Sequence, residues 1–447
     1  MKYPKVLIVY HSCINKHDAS CMSLRNWFAD WPKERLAQIY SGNEQGTERF
    51  CGRTFRLGEG ERRFSRMFFK LKGSPLGAAN RPLLLDKGGA TFDAKLRRRE
   101  ALRQNVSMMA INSGIWELMF PPIISQPLEN WISDFNPDIV YSQGYDLSFA
   151  WLAVWILQRF RLPGCFHAVD DWPRFLYSNS IFSSLMRRYV ESAAQNLLKS
   201  ASVRFAIGEG MAAEYRSRYG VGIEPLMICD SLERFRRAEP RRMAPEDTIS
   251  IIYSGGLGHY RWKSLVDLSR AANELEADGL KLKITVFTPA VPPEAVSAFA
   301  GLTNICFEVP PSHEELPSIL KGGDILFLPE TFDPAEADVI RLSVSTKAPL
   351  YMMSEKPTLV YSSPMTGVFD YAKRSGWAYV VDKQDVHLLA RAIRRLHRDT
   401  RLKERLAARA IEVARHNHEA SVVRERLRIS LVNAAERQRM RSALVTA

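Results

Sequence analysis

The chain is organised around the segment Ser345-Thr346-Lys347-Ala348-Pro349-Leu350-Tyr351-Met352-Met353-Ser354-Glu355-Lys356-Pro357. An apolar run typical of a buried strand precedes it, and the loop between the two holds four carboxylates, Glu330, Asp333, Glu336 and Asp338. Hydroxyl groups and a lysine before an amphipathic turn suit an anion site, because the first N–H groups of a helix are unpaired and partly positive. From these residues alone, the alternative interpretation is a capped helix whose lysine is solvated.

A second segment reads Ser250-Ile-Ile-Tyr-Ser-Gly-Gly-Leu-Gly-His-Tyr-Arg-Trp-Lys263 and predicts a strand, a glycine-rich turn and the basic start of a helix. Glycines at positions 255 and 256 let the backbone approach a phosphate closely, and Arg261 or Lys263 could neutralise it. A nicotinamide-dinucleotide site is disfavoured because Arg261 stands where the third glycine of that fingerprint belongs. Two anion-binding turns in one α/β domain indicate a diphosphate ligand.

The two segments resemble the donor-binding domain of family-4-like glycosyltransferases with the GT-B fold. The motifs that carry the resemblance are Tyr253-Ser-Gly-Gly-Leu257, Arg261 with Ser264-Leu265, Ser345-Thr-Lys347 and Lys356-Pro357. The resemblance extends from Lys5 to about Asn433 and is strongest over residues 250–382. It implies an α/β protein with two Rossmann-like domains facing a cleft, and a nucleotide-diphospho-sugar donor held without metal or cofactor. The implied donor-binding residues are Gly255, Gly256, Arg261, Lys263, Ser345, Thr346 and Lys347, with Val309 and Pro310 beside the base.

The length and the resemblance together predict the domain organisation. With 447 residues, two domains are the default. We expect an acceptor-binding domain over 1–240 with a basic insertion at 42–105, and a donor-binding domain over 248–418. A linker rich in arginine and proline joins them at 236–247, and residues 419–447 are expected to form a helix that packs back on the first domain.

Two carboxylates follow a predicted strand in the first domain. Asp170 and Asp171 come directly after Gly164–Val169, and paired carboxylates at the end of a strand are costly unless they are solvated or used. In the resembled family this loop holds a His-Asp or Asp-Asp pair facing the donor sugar, so both residues are candidate catalytic groups. The alternative is an aspartate that caps the next turn. His167 lies within the strand and is expected to be a core histidine.

One departure from the resembled family concerns the donor sugar. Many members carry two glutamates eight positions apart, which contact the sugar and the ribose, whereas the matching positions here are Leu342 and Leu350. Glu355 also stands where a glycine is usual. Carboxylates of the loop at 330–338 are candidates to substitute for the missing pair.

Charge is unevenly distributed along the chain, whose formal net charge is +13. Between Arg49 and Arg103, fifteen Lys or Arg face five Asp or Glu, and six phenylalanines are interleaved. Basic and aromatic residues together favour an anionic membrane interface, although a solvated insertion stays open. Nucleic acid would need the same charge, but no nucleic-acid motif accompanies it.

The remaining signals bear on the compartment. Six scattered cysteines without metal-ligand spacing indicate reduced, mostly buried thiols. The first apolar run is too short for a signal peptide, and the longest falls short of the ~18 residues of a spanning helix. We therefore expect a cytoplasmic glycosyltransferase, peripheral at the inner face of the membrane, that acts on a lipid-linked or surface-glycan acceptor. A non-catalytic nucleotide-sugar-binding or scaffold protein is the alternative.

Overall fold

The structure is a computed structural model, which describes residues 2–14, 19–42, 50–63 and 113–446. The chain divides into two compact units. The first unit comprises residues 1–205, 215–224 and 428–447, and the second comprises residues 206–214 and 225–427. Each unit is built on its own parallel sheet.

The first sheet has seven strands in the order β3-β2-β1-β4-β5-β6-β7. The neighbours from β3 to β5 all pair in parallel. This doubly wound order changes direction between β1 and β4, the place where open α/β sheets bind ligands at their carboxyl edge. The strands are β1 (Val6–Val9), β2 (Leu36–Tyr40), β3 (Arg53–Arg56), β4 (Ile139–Ser142), β5 (Gly164–Ala168), β6 (Val203–Ala206) and β7 (Glu224–Pro225).

Helices of this half of the chain connect the strands. They are α1 (Ala19–Trp27), α2 (Ile115–Met119), α3 (Gln126–Phe135), α4 (Leu147–Phe160), α5 (Trp172–Phe175), α6 (Ser183–Ser200) and α7 (Glu209–Tyr219), with 3-10 turns at Lys33–Arg35 and Glu59–Glu61. Gly220 ends α7 with a positive φ of 62°, which is the helix stop that its position predicts.

The second sheet has six strands, all parallel, in the order β10-β9-β8-β11-β12-β13. The strands are β8 (Ile249–Ser254), β9 (Leu282–Phe287), β10 (Ile305–Glu308), β11 (Ile325–Pro329), β12 (Thr358–Tyr361) and β13 (Tyr379–Val381). The helices are α8 (Leu232–Arg237), α9 (Arg261–Ala277), α10 (Pro293–Phe299), α11 (Leu316–Lys321), α12 (Pro334–Val339), α13 (Lys347–Met353), α14 (Gly367–Ser375), α15 (Val386–Arg398), α16 (Thr400–Asn417) and α17 (Ala420–Thr446).

The second sheet is buried on both faces, which explains its continuous apolar strands. One core cluster packs α9 and α15 on one face, and a second cluster packs α13, α14 and α16 against residues of β11 and β12. The order of this sheet changes direction between β8 and β11, which pair through Ile251 with Ile325. Turns that follow these two strands therefore lie at the predicted ligand edge.

Most of the strands that the apolar runs predict are present, and the differences are local. Residues Arg53–Arg56 lie inside the stretch expected to be an insertion and form the edge strand β3. The continuous part of the second unit begins at Pro225, ahead of the expected linker, because α8 buries Leu232 and Phe235 in its core. Much of the expected insertion, at 43–49 and 64–105, lies outside the described residues.

Two features are absent from the described ranges, a membrane-spanning helix and a cluster of metal ligands. No helix there is both long enough and apolar enough to cross a bilayer. No group of three or more His, Cys, Asp and Glu side chains in those ranges could hold a metal ion.

Candidate donor-binding site

The glycine-rich turn leaves β8 at Ser254 and enters α9 at Arg261. Gly255 has a φ of +154°, a conformation that side-chain-bearing residues rarely adopt. Gly256 and Gly258 are exposed, and no hydrogen bond within the described residues uses their N–H groups. The turn therefore offers backbone donors to an anion, as its sequence predicts.

Lys347 lies directly on the glycine-rich turn. A Cβ atom added to Gly255 would stand 1.9 Å from Cε of Lys347 and 3.0 Å from its Nζ, so this glycine makes the room that the lysine occupies. The ammonium group also lies 5.7 Å from the ring centroid of Tyr253. One helical turn further on, the hydroxyl of Tyr351 accepts a hydrogen bond of 2.9 Å from the N–H of Ser254. The two predicted anion-binding turns are thus joined in one site.

Arg261 is fixed by a buried ion pair. Its Nε donates to a carboxylate oxygen of Glu330 at 2.7 Å, and the two side chains are 14% and 2% exposed. Glu330 follows β11, and its backbone carbonyl accepts a hydrogen bond from the hydroxyl of Ser264 on α9. The carboxyl ends of β8 and β11 therefore hold Arg261 by a pair that leaves the other guanidinium nitrogens available to a ligand.

The charge on Lys347 is finely balanced. Burial lowers the pKa of Lys347 to about 7, the positive charge of Arg261 acts in the same direction, and Glu330 opposes both. A negative ligand at this position would restore the charge, because an anion within a few ångströms favours the protonated lysine. The site therefore prefers a ligand that carries its own negative charge.

The start of α13 matches its prediction in part. The helix begins at Lys347, and Thr346 occupies the N-cap position without using its side chain as a cap. The hydroxyl oxygen of Ser345 is buried and has no hydrogen-bond partner within the described residues. This orphaned hydroxyl is a donor that a bound phosphate could satisfy, whereas the N–H of Ala348 already donates to the carbonyl of Ser345 at 3.0 Å and Pro349 has no N–H.

Three other candidates lie on the surface. The ammonium of Lys263 stacks on the ring of Tyr260 at 4.0 Å, so it interacts with the turn itself. Val309 is 83% exposed after β10, and Pro310 is exposed beside it. Both are accessible to a ligand, and their part in binding a base stays a prediction.

The carboxylates of the loop after β11 all have partners. Besides the pair of Glu330 with Arg261, Glu336 lies 2.7 Å from Nδ1 of His259, and Asp333 caps α12. Asp338 lies 4.0 Å from Arg341. Leu342 and Leu350 stand where the resembled family carries its two glutamates. Leu342 is buried, and Leu350 packs against the core. His259 and Glu336 thus form a half-buried polar pair between the glycine-rich turn and this loop.

The two predicted catalytic aspartates differ sharply in their surroundings. Both carboxylate oxygens of Asp171 accept hydrogen bonds from Arg218, at 2.7 and 2.8 Å, and the residue is buried. Asp170 is half-buried. This geometry gives Asp171 a structural partner, and the catalytic role of either residue stays a prediction. His167 is a core histidine, as predicted, because it is fully buried and bonded to the hydroxyl of Tyr141.

Sequence reasoning missed three contributors to this site. Tyr351 is not among the predicted site residues, although its spacing of four from Lys347 places both on one face. Glu330 was seen as a substitute for a missing sugar ligand rather than as the partner of Arg261. His259 was passed over inside the glycine-rich turn. A polar residue directly after a predicted strand was the available signal for Glu330.

Comparisons with known proteins agree with this architecture. No family model and no curated protein sequence matches the chain. Among solved structures, sucrose-phosphate synthase from Thermosynechococcus elongatus is 12% identical, with a TM-score of 0.61 over 99% of each chain. HepE from Anabaena in complex with UDP-glucose is 10% identical, with a TM-score of 0.57 over 96% of this chain and 100% of that chain. WaaG, a glycosyltransferase involved in lipopolysaccharide biosynthesis, is 10% identical, with a TM-score of 0.57 over 94% of this chain and 98% of that chain. With the two doubly wound sheets, these matches show that the chain has the GT-B fold, which confirms the predicted fold class.

Proposed function

We propose that this protein is a glycosyltransferase that moves a sugar from a nucleotide-diphospho-sugar to an acceptor. The observation that carries the proposal is the meeting of Lys347, Gly255 and Arg261 where β8 and β11 end. The guanidinium of Arg261 is paired with the carboxylate of Glu330. Lys347, whose pKa is lowered to about 7, gains its full charge when an anion binds beside it. A diphosphate fits this arrangement because it carries more than one negative charge and several acceptor oxygens.

The same groups would act on the reaction itself. As the bond between the sugar and the diphosphate breaks, positive charge develops on the sugar and negative charge on the leaving diphosphate. Arg261, Lys347 and the N–H groups of the turn would stabilise that leaving charge, so the proposed mechanism needs no metal ion or cofactor. Asp170 is the proposed group that orients the sugar or the acceptor hydroxyl.

The solved neighbours guide the choice of donor and acceptor. HepE was solved with UDP and with UDP-glucose, and WaaG is described as acting in lipopolysaccharide biosynthesis. We therefore propose a UDP-sugar as the first donor to test and a lipid-linked or surface-glycan acceptor. Nucleic acid is not among the proposed partners.

A thermal-shift panel tests the proposal most directly. Purified protein is heated with UDP-, ADP-, GDP- and dTDP-sugars, and the ligand that gives the largest shift is then tested for transfer and for hydrolysis without acceptor. A ligand at 100 times its Kd adds about 2.7 kcal/mol of stability, which is readily measured. A flat response to all four nucleotide classes, in protein shown to be folded, would contradict the proposal.

A second candidate function rests on a specific observation. Leu342 and Leu350 stand where the family has sugar-contacting glutamates, and Asp171 is committed to Arg218. A protein of this kind could bind a nucleotide-sugar without transferring it. Binding without hydrolysis or transfer, across a panel of glycan and lipid acceptors, would support this reading over the enzyme.

The proposed location is the cytoplasmic face of the membrane, and vesicle sedimentation tests it. Most of the basic, phenylalanine-rich stretch lies beyond Arg63, outside the described residues. We expect the protein to pellet with anionic vesicles and to be released by salt, because exposed charges are screened over ~8 Å at physiological ionic strength. Replacing Arg62, Arg63 and Arg66 by serine should weaken pelleting and leave nucleotide binding unchanged. Equal pelleting with neutral vesicles, or none with either kind, would defeat this location.

A further inference from the structure

The beginning of α6 exposes four large apolar side chains. Ile181 is 77% exposed, Leu185 is 46% exposed, and Tyr189 and Phe182 are 43% and 39% exposed. We call these four residues the α6 patch. Scattered apolar residues are normal on a surface, but a contiguous group at one end of one helix indicates a surface that something else covers.

Helix geometry separates the α6 patch from the core. The inward face of α6 buries Met186, Val190, Ala193, Ala194, Leu197 and Leu198. Leu185 and Tyr189 are four residues apart, so their side chains lie one above the other on the outer side. Further along the same outer side, Ser192 and Asn196 are exposed and polar. The apolar surface is therefore confined to the first two turns and the loop before them.

The segment of the chain that carries the α6 patch is basic. From Trp172 to Val190 the chain contains three arginines and no aspartate or glutamate. Arg187 and Arg188 are exposed and form no ion pair with any described residue, and Arg174 is exposed in the helix before. Exposed apolar groups beside Arg187 and Arg188 fit a surface that is apolar within and anionic outside, which is the chemistry of an anionic lipid headgroup layer.

The α6 patch also adjoins the first residues that the structure describes after the basic stretch of the sequence. The described chain resumes at Ser113, whose carbonyl accepts a hydrogen bond of 3.1 Å from the hydroxyl of Ser180, the residue before Ile181. Next to it, Gly114 packs against Met186 of α6 and against Tyr177. Ser113 and Gly114, the first described residues after the basic stretch, therefore lie beside the α6 patch.

We propose that the α6 patch is a membrane-docking surface, which inserts Ile181, Phe182 and Leu185 at the headgroup level of an anionic bilayer while Arg187 and Arg188 meet lipid phosphates. Interfacial apolar groups of this kind sink ~5–10 Å into the boundary between headgroups and acyl chains. The proposal deepens the proposed function, since it rests on an acceptor that is carried by the membrane. It holds the acceptor-binding unit at the bilayer by described residues, independently of the residues beyond Arg63.

A site-specific fluorescent label distinguishes this occupant from others. Ser184 is replaced by cysteine in the full chain, with half-buried Cys306 replaced by serine, and an environment-sensitive dye is attached. A matched label at Asn196 lies about 18 Å along the same helix, at 1.5 Å per residue. With vesicles of equal parts phosphatidylglycerol and phosphatidylcholine, the dye at 184 should shift to the blue and be quenched by brominated lipid, and the dye at 196 should not.

Affinity measurements on variants complete the test. Replacing Ile181 and Leu185 by serine should weaken vesicle binding about tenfold, because each loses part of its ~1.5–3 kcal/mol of apolar burial. Replacing Arg187 or Arg188 by serine should weaken binding to anionic vesicles about fivefold each, at ~1 kcal/mol per basic residue. Binding of the best nucleotide-sugar should be unchanged in these variants, so a failed donor site and a failed docking surface give different results.

Each other occupant would overturn the proposal in a recognisable way. A dye at 184 that is blue-shifted before vesicles are added, and indifferent to them, means that another part of this chain covers the α6 patch. A blue shift that grows with protein concentration means a second copy of the chain. Vesicle binding that ignores all four substitutions means that the membrane is reached by a different surface.

Discussion

The contact between Gly255 and Lys347 gives the sharpest test of the proposed donor site. Replacing Gly255 by alanine places a Cβ atom 1.9 Å from Cε of Lys347, well inside an ordinary carbon–carbon contact of ~3.5–4.0 Å. The lysine side chain is flexible, so we expect it to swing away while the fold is kept. The matched control is Gly222→Ala, outside the proposed site, because nothing lies within 4 Å of a Cβ at that position.

The size of the effect follows from the bond that is lost. Moving the ammonium by ~1.5 Å or more breaks its hydrogen bond to a phosphate oxygen, and bonds to charged groups are worth about 1.5–3 kcal/mol. Nucleotide affinity should therefore fall about tenfold to a hundredfold in Gly255→Ala and by a similar factor in Lys347→Ala. An alanine at the positive φ of position 255 is strained by about 1–3 kcal/mol. We therefore expect Gly255→Ala to have a lower melting temperature than Lys347→Ala.

A double-mutant cycle measured by calorimetry tests whether Gly255 and Lys347 act on nucleotide affinity through each other. The ligand is the nucleotide-sugar that gives the largest thermal shift, and the four proteins are the wild type, the two single variants and the double variant. If Gly255 acts by making room for Lys347, the double variant should bind no more weakly than Lys347→Ala. Additive losses, or a Gly255→Ala protein that binds as Gly222→Ala does, would refute the reasoning.

Three further predictions use protonation and pairing. Because the pKa of Lys347 is lowered to about 7 in the empty site and an anion raises it, donor affinity should fall by about tenfold per pH unit above 7, and Lys347→Arg should lose this slope. Calorimetry in buffers of different ionisation enthalpy should show proton uptake on binding, and its absence would contradict the assignment. Burial lowers the pKa of His418 from 6.5 to about 4, so the unfolded chain takes up the proton first and stability is lost as the pH falls from 6.5 through 4. Urea unfolding should show that the wild type loses about 3 kcal/mol more than His418→Gln over this window, and parallel pH profiles would exclude it. Asp171→Asn should lower the free energy of unfolding by about 3–5 kcal/mol, because it breaks a buried pair with Arg218, whereas Asp170→Asn should lower turnover more than donor affinity. Full turnover in a folded Asp170→Asn protein would leave that loop a structural one.

Much of the fold could be predicted because parallel strands buried on both faces are continuous apolar runs. The runs at 324–329 and 250–254 gave β11 and β8 for this reason. Local hydrogen bonding was equally predictable, since Ser312 and Glu315 form the reciprocal capping box that their spacing indicates, although α11 itself begins at Leu316, three residues after the start that an N-cap at Ser312 predicts. Edge strands were harder, because β3 is largely solvated and carries arginines at both ends.

The site was predictable by residue type and not by pairing. Lysine, arginine and glycine at the two turns were visible in the sequence, because phosphate chemistry requires them. The partner of each was not visible, since Arg261 meets Glu330 from 69 positions away and Asp171 meets Arg218 from 47. Such pairs depend on the order of strands in the sheet, which fixes neighbours that no local pattern contains.

The arrangement at β8 and β11 also explains how one site can prefer a diphosphate to a single negative charge. Glu330 already neutralises Arg261, so a ligand with one charge gains little from that guanidinium and must still recharge Lys347. A second negative charge changes this balance, because one phosphate can hold the protonated lysine while the other reaches the remaining donors of Arg261 and the exposed N–H groups of Gly256 and Gly258. Tyr351 keeps the two turns at a fixed spacing through Ser254, so both phosphates meet donors that are already in place. Preorganisation of this kind lowers the cost of binding and directs the same donors at the charge that develops when the diphosphate leaves.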